Sequence, residues 1–199
     1  MKNTFLTILF FFQICVFSQQ TKKEKFNLYI TDSKGDLNND SYIDKVVVTQ
    51  DTINDKIPYK LEIFFAQPNG KFKLITSTIK IIEAQYPNGK KGLQSQNEIP
   101  DFLIEKGNLI IVYDIEKGHS VYTFRFQKGN FELINTQKIT MINQDQGTTL
   151  DEEFNFLTGA RTQKIQSYSD KTIIKKKKKI LIRPLPKIQD IQPFKNEFY

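Results

Sequence analysis

Beyond residue 25, apolar and polar residues alternate with a period of two through most of this chain, the pattern of strands with one face buried. The clearest hairpin pairs residues 60–66 with 71–76 around Pro68-Asn69-Gly70, because Asn-Gly is the strongest short turn signal. Leu61, Ile63 and Phe65 share one face there, joined by Phe72 and Leu74. Phe64 and Ile75 point the other way and oppose each other. A hairpin apolar on both sides calls for cover on both sides, hence for two layers.

Further along, residues 102–104 and 109–113 bracket Lys106-Gly107-Asn108 as a second hairpin, and residues 121–127 and 130–134 bracket Lys128-Gly129 as a third. A two-residue turn in the third sets Arg125 opposite Glu132 as a surface rung. It also gathers Tyr122, Phe124, Phe126, Phe131 and Leu133 on one face. Phe154 and Phe156 alternate into the turn Leu157-Thr158-Gly159, and residues 160–168 return antiparallel. Residues 26–30, 45–50 and 79–84 read as extended, and 51–58, 85–100 and 140–147 as loops. The longest of these, 85–100, is either a functional surface or a spacer. Leu185, Ile188 and Ile191 recur every third residue, predicting a short helical turn docked on a sheet. Together these elements predict one all-β domain of about eight to ten antiparallel strands, in two packed layers or propeller-blade-like sheets, with little helix.

The first residues follow a different rule. Met1-Lys2-Asn3 gives a basic start, residues 5–12 and 14–17 are apolar, and Ser18 puts a small residue before Gln19. This order reads as a secretory signal peptide over 1–18, followed by a flexible leader over 19–25 and the domain over 26–199. The protein is expected to be exported, to the periplasm or beyond the cell. Gln13 interrupts an apolar run shorter than the ~20 residues a membrane span needs, so no transmembrane segment is expected in the mature chain. Cys15 is the one cysteine, and Ile14 before it excludes the small-residue context of lipid attachment. No disulfide can then form after residue 18, and stability rests on the sheet core.

One polar stretch carries candidate chemistry. Asp36, Asn38, Asp40 and Asp44 place side-chain oxygens at alternating positions, with the Tyr42 carbonyl between the last two, just ahead of the apolar run Val46-Val47-Val48. Calcium takes six to eight oxygens at about 2.3–2.6 Å, and a tight loop of this spacing can turn such groups inward. Each close pair of carboxylates at about 4 Å costs about 4 kcal/mol at an effective dielectric near 20, a repulsion that a divalent cation reverses. The spacing resembles the calcium loops of FG-GAP and VCBS-type repeats, the integrin-propeller class. That resemblance implies Ca2+ held by Asp36, Asn38, Asp40, Tyr42 and Asp44, and covers about a dozen residues. Ser41 stands where that pattern has glycine, at a cost of about 1–2 kcal/mol if φ is positive there. The other reading of the same residues is a metal-free Asx-rich turn that caps a strand.

Charge changes the picture at one further place. The chain carries a formal +7, lowered to +6 without Lys2, which draws it to anionic surfaces and envelope polymers. Lys175, Lys176, Lys177, Lys178 and Lys179 are consecutive, so on a strand they occupy both faces and mark an edge. They read either as protection against edge pairing or as an anionic-surface contact. No aromatic is interleaved for base stacking, which argues against nucleic acid.

Catalytic signatures are missing: no Gly-x-Ser-x-Gly, phosphate loop or His-Glu-x-x-His occurs, and His119 is the one histidine. Asp114, Glu116, Asp151, Glu152 and Glu153 keep carboxylate catalysis open. The expected function is an exported, non-enzymatic binding or interaction module with one structural cation loop, engaging an envelope component or partner protein. The alternatives are a cell-surface polymer hydrolase using acidic residues and a polyanion-binding protein.

Overall fold

The computed structural model describes residues 24–167 and 172–196. The expected signal peptide, most of the leader and Tyr168 lie outside them. The described residues form eleven strands: β1 (Phe26–Gly35), β2 (Asp44–Asp51), β3 (Tyr59–Ala66), β4 (Phe72–Thr78), β5 (Asp101–Glu105), β6 (Asn108–Ile115), β7 (Gly118–Gln127), β8 (Asn130–Asn143), β9 (Thr148–Asn155), β10 (Ala160–Gln166) and β11 (Thr172–Lys179). They form two open antiparallel sheets, one ordered β1-β2-β3-β4 and one ordered β11-β10-β9-β8-β7-β6-β5. The all-β class holds, with slightly more strands than the expected eight to ten. Helix among the described residues is limited to the 3-10 turn Ile188–Asp190.

Alternation decides what is buried. Val46, Val48, Leu61, Ile63 and Phe65 of the small sheet and Leu109, Ile111, Tyr122, Phe124, Phe131 and Leu133 of the large one form a single apolar core. Each such side chain contributes about 1.5–3 kcal/mol on leaving water. The sheets meet through aromatic rings: Phe65 stands edge-on to Phe126 at 4.8 Å and to Phe131 at 6.0 Å.

The tight turns explain the register. Lys106-Gly107 and Lys128-Gly129 both take positive φ at each position (50° and 72°, 51° and 77°), as the two-residue hairpin turn matching strand twist requires. Arg125 and Glu132 are ladder partners as expected. They do not form the expected rung, however: Arg125 Nε donates to Asn108 Oδ1 at 3.0 Å, while buried Glu132 accepts from Gln127 Nε2 at 2.5 Å.

The first hairpin differs from expectation. Its connection is five residues long, 67–71, and a bulge between Ile63 and Phe64 shifts the register, so Phe64 opposes Leu74 rather than Ile75. Phe72 and Leu74 therefore leave the face of Leu61, Ile63 and Phe65 and stand half exposed. The hairpin is buried on one face only. Residues 79–84 are not a strand; Ile81 and Ile82 fill the core from an irregular segment, and the Tyr113 hydroxyl donates to the Ile81 carbonyl at 2.7 Å. β8 runs on to Asn143, which shortens the expected 140–147 loop.

After β11 the chain returns to the core. Leu185, Ile188 and Ile191 are all buried, as their spacing predicts, and the backbone N–H of Leu133 donates to the Pro186 carbonyl at 2.8 Å. Arg183 fastens this segment to the end of β9, donating to the carbonyls of Phe156 (2.8 Å) and Leu157 (2.7 Å).

Candidate functional site

The polar stretch is the loop joining β1 to β2, closed by the pairing of Gly35 with Asp44. Its backbone is organised by successive Asx turns. Asp36 Oδ1 accepts from the N–H of Asn38 and of Asp40, both at 3.2 Å. Asn38 Oδ1 also accepts from Asp40 N at 3.1 Å, and Asp40 Oδ1 accepts from Tyr42 N at 2.9 Å. Asp36 Oδ2 takes the N–H of Ser41 at 2.8 Å, and Asn38 Nδ2 donates to Asp40 Oδ2 at 2.8 Å. Asp36, Asn38 and Asp40 are thus brought together. Asn39 and Ser41 sit at φ 59° and 70°, so Ser41 adopts the left-handed conformation that glycine takes most cheaply.

Asp44 occupies a different position. It has no exposed surface, and its two oxygens accept separate backbone N–H groups, Leu37 at 2.8 Å and Ala66 at 2.9 Å. Leu37, the one apolar residue between Asp36 and Tyr42, is buried in the core and pins the loop from inside. The outer side rests on the β5–β6 turn: a Cβ on Gly107 would lie 2.7 Å from Asn39 Nδ2, and one on Gly35 would lie 2.6 Å from Ile104 Cγ2. Sequence reasoning assigned none of Leu37, Ala66, Gly35 and Gly107 to this site, Gly107 being read only as a hairpin turn. Leu37 left a signal, an apolar residue stranded in a polar run; the other three depend on distant contacts.

Electrostatics follow from these bonds. Burial pushes the Asp44 carboxyl above its ordinary value against the pull of the Leu37 and Ala66 N–H groups, and the negative charges of Asp40 and Asp36 push the same way. Desolvation opposes ionisation of Asp36 too, but the N–H groups of Ser41, Asp40, Asn39 and Asn38 outweigh it and hold that carboxyl below the usual range. The donor chemistry fits a hard cation in that all the groups are oxygens, although each of the carboxylate oxygens already accepts at least one N–H. Among the described residues no three Asp, Glu, His or Cys side chains converge closely enough to hold a metal. In this conformation the carboxylates alone therefore do not form a cation site.

Of the acidic residues considered for hydrolysis, Glu152 and Glu153 border one recess of about 290 Å³ together with Lys138 and Arg161. Asp151 and Glu152 are consecutive on β9 and leave opposite faces. Asp151 lies 3.7 Å from Lys164 and accepts from Gln137; Glu152 lies 3.7 Å from Arg161 and accepts from Gln163 at 2.6 Å. His119 is the second residue of β7, half buried and opposite Asp114 in the ladder.

Fold and loop together define an all-β protein of two open antiparallel sheets whose β1–β2 connection is a structured acidic loop. Compared with family models, curated proteins and solved structures, the chain matches none. No helix among the described residues is long and apolar enough to cross a membrane.

Proposed function

We propose that this protein is an exported, non-enzymatic binding module whose β1–β2 loop takes a calcium-type cation that stiffens it, leaving the sheets to engage an envelope component or partner protein. The observation that carries the reading is the run of Asx turns from Asp36 to Tyr42, which assembles three oxygen-bearing side chains in the loop that the Gly35–Asp44 pair closes. Asp44 is ionised at an energetic cost in this setting, and a cation offsets that cost. Export rests on the order of basic, apolar and small residues over 1–18.

Extracellular calcium modules bind at about 10⁻⁴–10⁻³ M, so about 10 mM calcium is expected to add about 1.4–2.7 kcal/mol of stability. For a domain of this size that raises the melting temperature by about 3–10 °C. Asp40→Ala is expected to melt near the wild type without calcium and to lose the shift. An equal response in wild type and variant removes the cation from the proposal.

A further inference from the structure

The edge strand β11 presents a second, separate feature. Lys175 to Lys179 are all exposed, and none has an acidic partner among the described residues. The inner strand differs: Arg161 and Lys164 of β10 are matched by Glu152 and Asp151. Among the described side chains, β10 and β11 supply none of the buried hydrophobic residues.

One or two charges suffice to keep a strand edge from pairing with other chains. Here five stand in sequence, and two lie directly across the ladder from like charges, Lys175 from Lys164 and Lys178 from Arg161. Such rungs destabilise the sheet, which edge protection alone does not call for. We propose that β11 is a docking edge for a linear anionic polysaccharide, sulfated or carboxylated.

The geometry selects this partner. Lysines on one face of a strand repeat about every 7 Å. By register Lys175, Lys177 and Lys179 alternate with Lys176 and Lys178, and the latter two lie beside Arg161 and Gln163 in an open recess of about 490 Å³ that Lys177 also borders. These ammonium groups diverge along a line instead of converging on a point, so a small anion meets few of them and an extended polymer meets most. A flat lipid surface reaches one face only. β10 and β11 carry no aromatic residue for base stacking, which sets single-stranded nucleic acid aside. The inference does not depend on an ion at the β1–β2 loop.

The test measures binding of the full chain to heparin against salt. Neutralising three charges predicts affinity falling about 30-fold between about 50 and 200 mM salt. Lys175→Gln, Lys176→Gln, Lys177→Gln, Lys178→Gln and Lys179→Gln together are expected to weaken binding about tenfold or more at the lower salt. Lys71→Gln, Lys73→Gln, Lys80→Gln, Lys90→Gln and Lys91→Gln remove the same charge elsewhere and are expected to leave it within about threefold. Replacing the five β11 lysines by arginine guards against misfolding and is expected to preserve binding. Equal losses in the two glutamine variants overturn the proposal, as does a folded arginine variant that no longer binds. So does a wild type that takes anionic vesicles or single-stranded DNA but not heparin.

Discussion

Asp44 and Ala66 are tied across the small sheet: the buried carboxylate accepts the Ala66 N–H at 2.9 Å while its other oxygen holds Leu37 at 2.8 Å. One side chain thus fixes the loop on one side and the end of β3 on the other. Its removal orphans two N–H groups, each worth about 1–3 kcal/mol when left unsatisfied. Asp44→Ala is expected to lower stability by about 2–5 kcal/mol in urea unfolding, and an unchanged midpoint would show that the latch is not structural.

Asp44 and Asp36 should titrate on opposite sides of 3.8, the ordinary aspartate value. The folded state holds the Asp44 proton more tightly than the unfolded chain does. Its contribution to stability is therefore full below 3.8 and lost as pH rises through the higher folded value. Asp36 works in the reverse sense, contributing above 3.8 and losing that contribution as pH falls through its depressed value. Carbon-detected NMR of the carboxyl groups is expected to find Asp36 titrating first on the acid side, and calcium to bring the Asp44 midpoint down. The opposite order would contradict the bonding described for the loop.

Two glycines with nearly the same backbone conformation separate loop docking from backbone strain. Gly107 (φ 72°) meets Asn39 where a Cβ would sit, whereas Gly129 (φ 77°) has open space. Gly129→Ala is expected to cost about 1–2 kcal/mol, the price of left-handed backbone alone. Gly107→Ala should cost clearly more in thermal unfolding, because Asn39 has to move as well. Equal costs would detach the loop from the β5–β6 turn.

The bulge in β3–β4 makes a prediction about two phenylalanines. Phe65 is buried against Phe126 and Phe131, and its replacement by alanine is expected to cost about 3–5 kcal/mol. Phe72 is half exposed, with Lys45 Nζ 4.3 Å from its ring centre, so Phe72→Ala is expected to cost about 0.5–1 kcal/mol. Similar losses at both positions would restore the unbulged register.

Much of the architecture was legible because alternation and turn chemistry act locally. Lys106-Gly107 and Lys128-Gly129 specify their hairpins within a few residues, and the three-residue spacing of Leu185, Ile188 and Ile191 announces the docked turn. The β3–β4 register was not legible, because a single inserted residue swaps the faces of a strand and nothing in Lys73-Leu74-Ile75 marks it. Ile81 and Ile82 read as strand because apolarity alone does not separate a ladder from an irregular plug. At the loop, the alternating oxygens of Asp36, Asn38 and Asp40 were visible. The burial of Asp44 was not, since it depends on Ala66, which the chain places twenty-two residues away.

The segment holding Leu185, Ile188 and Ile191 follows every strand in chain order, yet its 3-10 turn packs against both β4 of one sheet and β8 of the other. Neither sheet can bury its apolar side fully until those residues have been synthesised. Phe65 can meet Phe126 and Phe131 before then, but the apolar surface that Leu185, Ile188 and Ile191 cover stays wet until the last part of the chain arrives, so closure of the core is a late, long-range event.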